Sequence, residues 1–263
     1  MAEDEAERKT KNVFCKNYVE SCKDDLIGLI LRGLLVVEED EEEEDWGHGL
    51  SAGCCLQKLA VLIGNHALQP VVTYVAANIS SNDWKQKYAA LIALGSITEG
   101  PDKQSFLDIV LPTLAGLLEM FKDPHAKVRE AISWVMSRIC EHHADVATGP
   151  QVAPQVLPVL KDALKDKPRI SNQCCAAFEK LATACQPLND EPSNCLTPYF
   201  GEILEVLFNN AVREDYHGAG VDLMQASYMT MTAMVQSACS SSEEVVYNLL
   251  VPVLQTLEST LSE

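Results

Sequence analysis

The sequence predicts an all-α solenoid of stacked two-helix repeats. Three observations carry this: a composition 47% hydrophobic but only 6% aromatic, a proline recurring inside apolar helical patterns, and an Asp-containing break after those stretches. There is enough apolar material for a core, yet few of the aromatics that sandwiches and barrels use.

The proline recurs in Leu111-Pro112-Thr113-Leu114, Leu157-Pro158-Val159-Leu160 and the variant Val251-Pro252-Val253-Leu254. These prolines are 46 and 94 residues apart, the second interval being two periods of 47, and Pro70 precedes Pro112 by 42. About a dozen residues beyond a proline the pattern breaks, at Ser81-Asn82-Asp83, Lys122-Asp123-Pro124 and Lys165-Asp166-Lys167-Pro168, as expected where one helix ends. A second apolar-periodic helix follows each break, and Ile97, Ile139 and Leu181 at its end are 42 and 42 residues apart. Two helices at this period are the signature of HEAT or armadillo repeats. A proline inside the first helix removes a backbone hydrogen bond and kinks the axis, so that helix can wrap its partner.

Taken in order, residues 1–22 read as the remnant of a preceding repeat or as disordered, and 23–263 as five to six HEAT repeats. Helix pairs are expected over 24–37 with 47–65, 67–80 with 83–98, 103–122 with 125–143, 151–165 with 168–186 and 195–212 with 219–239. A lone helix over 243–262 follows, which suggests a piece of something longer. No pair can bury its apolar face alone, so stacking should give one continuous core and a right-handed superhelix.

Twenty Lys plus Arg against 38 Asp plus Glu leave a net charge of −18. Such a field repels nucleic acid and anionic membrane and predicts a cationic partner. The start Met-Ala-Glu-Asp-Glu lacks a signal peptide's basic and apolar regions, and the longest apolar stretch read from the sequence, Leu26 to Val37, is short and carries Arg32, so a soluble intracellular protein is expected. The ten Cys form no Cys-x-x-Cys and have no His at zinc-finger spacing, and read as reduced thiols packed in apolar helices. No metal or cofactor is expected.

The sharpest local feature is the run Glu38, Glu39, Asp40, Glu41, Glu42, Glu43, Glu44 and Asp45 between the two helices of the first repeat, ending at Trp46 and supplying 8 of the 18 net negative charges. Its plain reading is a solvated loop. Yet an insertion at one edge of a solenoid, next to a flat aromatic face, also suits a basic ligand. In the helix over 125–143, Val128, Ile132, Val135 and Ile139 make a core stripe, and Trp134 lies roughly 120° from its centre, beside the core and partly on the concave surface. The 42-residue period puts Ile92 and Ala176 at the equivalent points of the neighbouring repeats. Trp134 is a rung of a concave ladder or a packing side chain between repeats. Trp84 is assigned mainly to packing. Glu141-His142-His143 reads as solvated residues at a helix end, and His217-Gly218-Ala219-Gly220 as a turn. No catalytic motif is found.

The acidic run ending at Trp46, together with Ser51-Ala52-Gly53-Cys54-Cys55-Leu56-Gln57, Gly64-Asn65-His66, Asn82-Asp83-Trp84 and Gly95-Ser96-Ile97-Thr98-Glu99-Gly100-Pro101-Asp102-Lys103, resembles the importin-β family. Val128-Arg129-Glu130-Ala131, Trp134 and Arg138-Ile139-Cys140-Glu141 continue the resemblance, which is strong over 38–141 and loose after 185. It implies a transport receptor, not an enzyme, that coils around the basic importin-β-binding segment of importin-α and releases it to the GTP form of Ran. In the family the acidic loop contacts Ran near the adaptor helix and concave tryptophans hold its basic side chains. These roles carry over to Glu38 through Asp45, Trp46 and Trp134. Nucleoporins and basic cargo are further implied partners, and cytoplasm, nucleus and nuclear pore the implied locations. Where the family has a further concave Trp this sequence has Ala176, which implies weaker or shifted adaptor binding. Arg129 follows Asp123 by six residues, as in the usual HEAT Asp-Arg ladder, whereas Asp166 to Arg169 and Asp83 to Lys87 do not keep that spacing. The alternatives are another HEAT scaffold, such as a different karyopherin or a phosphatase regulatory subunit, and a helical hydrolase using His or Cys.

Overall fold

The computed structural model describes residues 18–37, 48–187, 192–213 and 222–261. Among these the chain is helical: α1 (Tyr18–Gly33), α2 (His48–Ile63), α3 (Leu68–Asn78), α4 (Trp84–Ser96), α5 (Lys103–Glu119), α6 (Ala126–His142), α7 (Ala153–Ala163), α8 (Pro168–Ala184), α9 (Phe200–Ala211), α10 (Leu223–Gln236) and α11 (Glu243–Leu261), with short helical turns between some of them. Odd-numbered helices are the first of each pair and even-numbered helices the second. The first helix starts at Tyr18, inside the stretch read as a separate remnant, and bends at Cys22, where the backbone leaves helical geometry. The turn expected over 217–220 lies outside the described residues.

The even helices stack in series, α2 on α4, α4 on α6, α6 on α8 and α8 on α10, while the odd helices flank them. The stripe expected from α6 is buried throughout: Val128, Ile132 and Val135 are fully covered and Ile139 nearly so. Pro112, Pro158 and Pro252 sit inside α5, α7 and α11. In the fifth repeat Pro198 stands in the helical turn leading into α9, so the rung that looked absent between Pro158 and Pro252 has moved to the helix entrance. Aspartates cap the breaks: Asp83, Asp102 and Asp222 accept from the backbone N–H of Lys85, Gln104 and Gln225 at 2.9, 3.1 and 2.8 Å.

Two helical stretches, His48–Asn78 and Lys103–Lys122, are long and apolar enough to cross a membrane by length and composition, and so exceed the Leu26 to Val37 stretch singled out from the sequence. The first changes direction at Gly64, whose φ of 57° divides α2 from α3. In the second, α5 turns Phe106, Leu107, Val110, Leu114, Leu117 and Leu118 into the shared core.

Charged rungs tie one repeat to the next. The Lys87 ammonium meets Asp123 Oδ2 at 2.6 Å, and Arg129 grips Asp166 with Nε at 2.7 Å and Nη2 at 3.0 Å. Arg129 also donates to the Asp123 carbonyl at 3.0 Å. Burial opposes the charge on Asp123 and Asp166, but the Lys87 and Arg129 partners and nearby backbone N–H groups outweigh it, holding both carboxyls below the usual range. The ladder therefore runs between repeats, from a basic residue of one even helix to the Asp in the next repeat's turn. Spacing within a repeat is the wrong test for it, which is why Lys87 looked out of register.

Candidate protein-binding surface

The acidic run enters and leaves between α1 and α2. Val37, on its N-terminal flank, is buried, and Gly49 lies against it: a Cβ on Gly49 would stand 2.9 Å from Val37 Cγ2 and 3.4 Å from the carbonyls of Leu34 and Val36. The described residues on either side of the run, Val37 and Gly49, are thus in close contact. Glu38, Glu39, Asp40, Glu41, Glu42, Glu43, Glu44, Asp45 and Trp46 themselves lie outside the described residues.

Trp134 is half-buried on α6, and its ring lies directly on Gly95 of α4. A Cβ at Gly95 would come within 2.3 Å of Cζ3 and 2.8 Å of Cε3. One repeat earlier the same arrangement recurs, with Gly53 of α2 under Ile92 of α4: a Cβ on Gly53 would stand 2.7 Å from Ile92 Cγ2. Both glycines and both large side chains are 42 residues apart, so a glycine on one even helix seats a bulky residue on the next. One repeat later Ser137 and Ala176 occupy these positions, and the Ser137 hydroxyl reaches Gln173 Oε1 at 3.2 Å. Of the three equivalent side chains Ile92 is buried, whereas Trp134 and Ala176 keep partial exposure. A continuous exposed ladder through Ile92 does not form, because Gly53 lets α2 close over it.

Charged groups flank Trp134 on its own helix. The Arg138 guanidinium is 13% exposed and lies 2.6 Å from Glu141 and 3.6 Å from Glu99. Glu130 accepts from Arg169 of α8 at 3.3 Å. These pairs neutralise one another, so the groups flanking Trp134 on α6 add little net charge. Trp84 stacks on His125 with ring centroids 4.0 Å apart and planes 8° apart, in keeping with a packing role.

Of the two histidines at the end of α6, His142 is partly exposed and His143 is buried, contrary to the expectation that both are solvated. His143 is 5% exposed, its ring stacks on Phe106 at 5.0 Å, and Nε2 lies 3.1 Å from the Thr98 carbonyl. Burial pushes the pKa of His143 and of His142 down, which favours the neutral rings. Among the described residues no cluster of His, Cys, Asp or Glu is disposed to hold a metal ion.

Two motifs far apart in the sequence meet at the entrance to α5. The Asn65 side chain accepts from the Asp102 N–H at 2.7 Å and donates to the Asp102 carboxylate at 3.2 Å. Gly100, at φ 111°, brings its backbone so close to α2 that a Cβ would sit 2.3 Å from the Ala60 carbonyl oxygen. Gly64-Asn65 and Gly100-Pro101-Asp102 thus form one joint between repeats, whose glycines are demanded by positive φ and close approach.

Comparisons with known proteins agree with this geometry. A family model described as importin subunit beta-1-like TPR repeats matches residues 155–263, and a HEAT-repeat model matches 114–143. The likeness therefore extends through the C-terminal part, where the sequence motifs had seemed to fade. Importin subunit beta-1 of Schizosaccharomyces pombe is 30% identical over 239 residues, covering 90% of this chain and 27% of the relative. The Saccharomyces cerevisiae protein is 28% identical, covering 94% of this chain and 28% of the relative. The solved structure of yeast importin-β, Kap95p, superposes over 100% of this chain and 30% of its own length with a TM-score of 0.88 and 27% identity. Further solved structures of that receptor, one concerning its binding to RanGDP and one in complex with Nup1, each give a TM-score of 0.87 at 27% identity. The chain spans less than a third of the length of these relatives. Stacked two-helix repeats and matches running almost end to end place this chain in the importin-β family of nuclear transport receptors.

Proposed function

We propose that this segment forms part of a transport receptor's ligand surface, binding the basic importin-β-binding segment of importin-α and contacting Ran-GTP, which releases it. The observation that carries the reading is the eight-carboxylate run in the connection from α1 to α2, in a chain nine-tenths of which aligns with importin subunit beta-1 at 30% identity. A net charge of −18 draws a cationic helix from a distance, and Trp46 and Trp134 then offer faces for its guanidinium and ammonium groups. The relatives solved with Ran and with Nup1 support Ran and nucleoporins as partners, and with them shuttling between cytoplasm and nucleus through the pore. The protein is a scaffold in this reading and performs no chemistry on its ligands.

The test is a titration of the chain with a fluorescent basic segment of importin-α. Binding that weakens in Trp134→Ala by about 1 to 2 kcal/mol, and in a variant with 38–45 replaced by Ser and Gly, supports the reading. Affinity unchanged in both variants would assign Trp134 to packing and the run to solvation.

A further inference from the structure

At the joint between the fourth and fifth repeats two thiols touch. Cys185 ends α8, Cys195 lies ten residues on in the segment leading to α9, and their sulfurs are 3.4 Å apart. Both are free and half-buried, so a small oxidant can reach them. By contrast Cys140, Cys174 and Cys175 are fully buried, with burial alone pushing Cys140 up to about 12.

The segment carrying Cys195 is anchored rather than loosely draped. Asn194 donates to the Cys185 carbonyl at 3.3 Å and to the Ser237 carbonyl at 2.9 Å, and its Oδ1 accepts from the N–H of Leu196 and Thr197 at 3.0 and 3.2 Å. The Ser241 N–H adds a bond to the Pro192 carbonyl at 3.3 Å. One asparagine thus pins the Cys195 segment to the ends of α8 and α10, and the two sulfurs are held in contact by bonds that do not involve them.

We propose that Cys185 and Cys195 are an oxidisable dithiol, which a peroxide converts into a disulfide stapling the end of α8 to the entrance of α9. The Cys195 thiolate attacks one peroxide oxygen, the O–O bond breaks, and a sulfenic acid forms as hydroxide leaves and takes up a proton. The Cys185 thiolate then attacks the Cys195 sulfur, the S–S bond forms, and the S–O bond breaks with release of a second water. Overall two thiols and one peroxide give one disulfide and two waters. The polarity of the pair agrees with this order: the hydrogen bond between the two thiols holds the Cys195 thiol below its usual pKa and raises that of Cys185. In a reducing compartment such a bond would form only under oxidant and revert with thiol reductants, so the joint would change its freedom with redox state.

The experiment treats the reduced, full-length chain with hydrogen peroxide, blocks remaining thiols with N-ethylmaleimide and analyses the digest by mass spectrometry. The residues between the two cysteines contain no Lys or Arg, so trypsin leaves both in one peptide, while cleavage on the N-terminal side of Asp190 or Glu191 separates them. The expected result is a tryptic peptide lighter by two hydrogens and unlabelled at both sites, whose Asp or Glu cleavage products stay joined until reduction. Cys185→Ser should leave Cys195 as a sulfenic acid trapped by dimedone, and unchanged far-UV circular dichroism would show that the variant folds. The proposal fails if both sites take up maleimide after peroxide has oxidised the exposed Cys55, if Cys195 goes to sulfinic acid without a crosslink, or if Cys185 pairs instead with the nearby Cys239.

Discussion

Substituting Gly95 by Ala probes the packing that holds Trp134 in place. The new Cβ would stand 2.3, 2.8 and 3.1 Å from three carbons of the indole, where ordinary carbon contacts are about 3.5 to 4 Å. The rigid ring must move by roughly 1 Å or more, and overpacking of that kind costs about 1 to 3 kcal/mol. Gly95 lies within α4 and has no positive φ, so Ala should otherwise stabilise the helix by about 1 kcal/mol. The two effects oppose each other in the parent chain, and only the second survives once Trp134 is Ala. Gly95→Ala is therefore expected to be neutral to destabilising by about 2 kcal/mol alone and stabilising in the Trp134→Ala background, a coupling of about 1 to 3 kcal/mol. Repeat arrays can depart from all-or-none unfolding, so the coupling is best read from urea midpoints of the four proteins, followed together by circular dichroism and tryptophan emission. Equal stabilisation by Gly95→Ala in both backgrounds would refute the seat.

Other consequences follow from contacts between repeats. Arg129→Ala should destabilise by about 1 to 3 kcal/mol, because it strips Asp166 of its bidentate partner and the Asp123 carbonyl of a donor; a change below a few tenths of a kcal/mol in urea unfolding would show the ladder to be ornamental. Asn65→Ala should cost about 0.5 to 1.5 kcal/mol by removing its two hydrogen bonds to the solvent-exposed Asp102, and hydrogen exchange at the Asp102 amide should speed up. For His143 the folded pKa lies below the unfolded value of about 6.5. Above that pH both states are neutral and nothing is lost; as pH falls through it, the unfolded chain takes a proton that the folded chain refuses, so stability drops. Melting midpoints should therefore fall between about pH 7.5 and about pH 5.5, with a shallower slope in His143→Phe, and an identical slope in both would contradict the assignment.

The repeat was legible in the sequence because its signals are local: prolines inside apolar helices, breaks carrying Asp83, Asp123 and Asp166, and the stripe through Val128, Ile132, Val135 and Ile139. Contacts that cross from one repeat to the next left no such trace. His143 looked solvated because its carbonyl partner, Thr98, is 45 residues away. Lys87 looked out of register because its carboxylate, Asp123, is 36 residues on and in another repeat. The paired offsets of Gly53 with Gly95 and of Ile92 with Trp134 were present in the sequence, but a small residue facing a large one across two helices has no periodicity along either. For the acidic run, the sequence supplies the charge and the structure adds its anchored flanks. Trp134 illustrates the limit in the other direction, since one ring can pack on Gly95 and still present an exposed edge to a ligand.

The central claim, that long-range attraction by the acidic run brings a basic helix to this surface, is tested most directly by the salt dependence of affinity for the importin-α segment, measured for the parent chain and for the variant with 38–45 replaced by Ser and Gly. The account predicts affinity that falls steeply as salt rises in the parent chain, and a flatter dependence with weaker low-salt binding in the variant. Parallel salt dependences of equal affinity would contradict it.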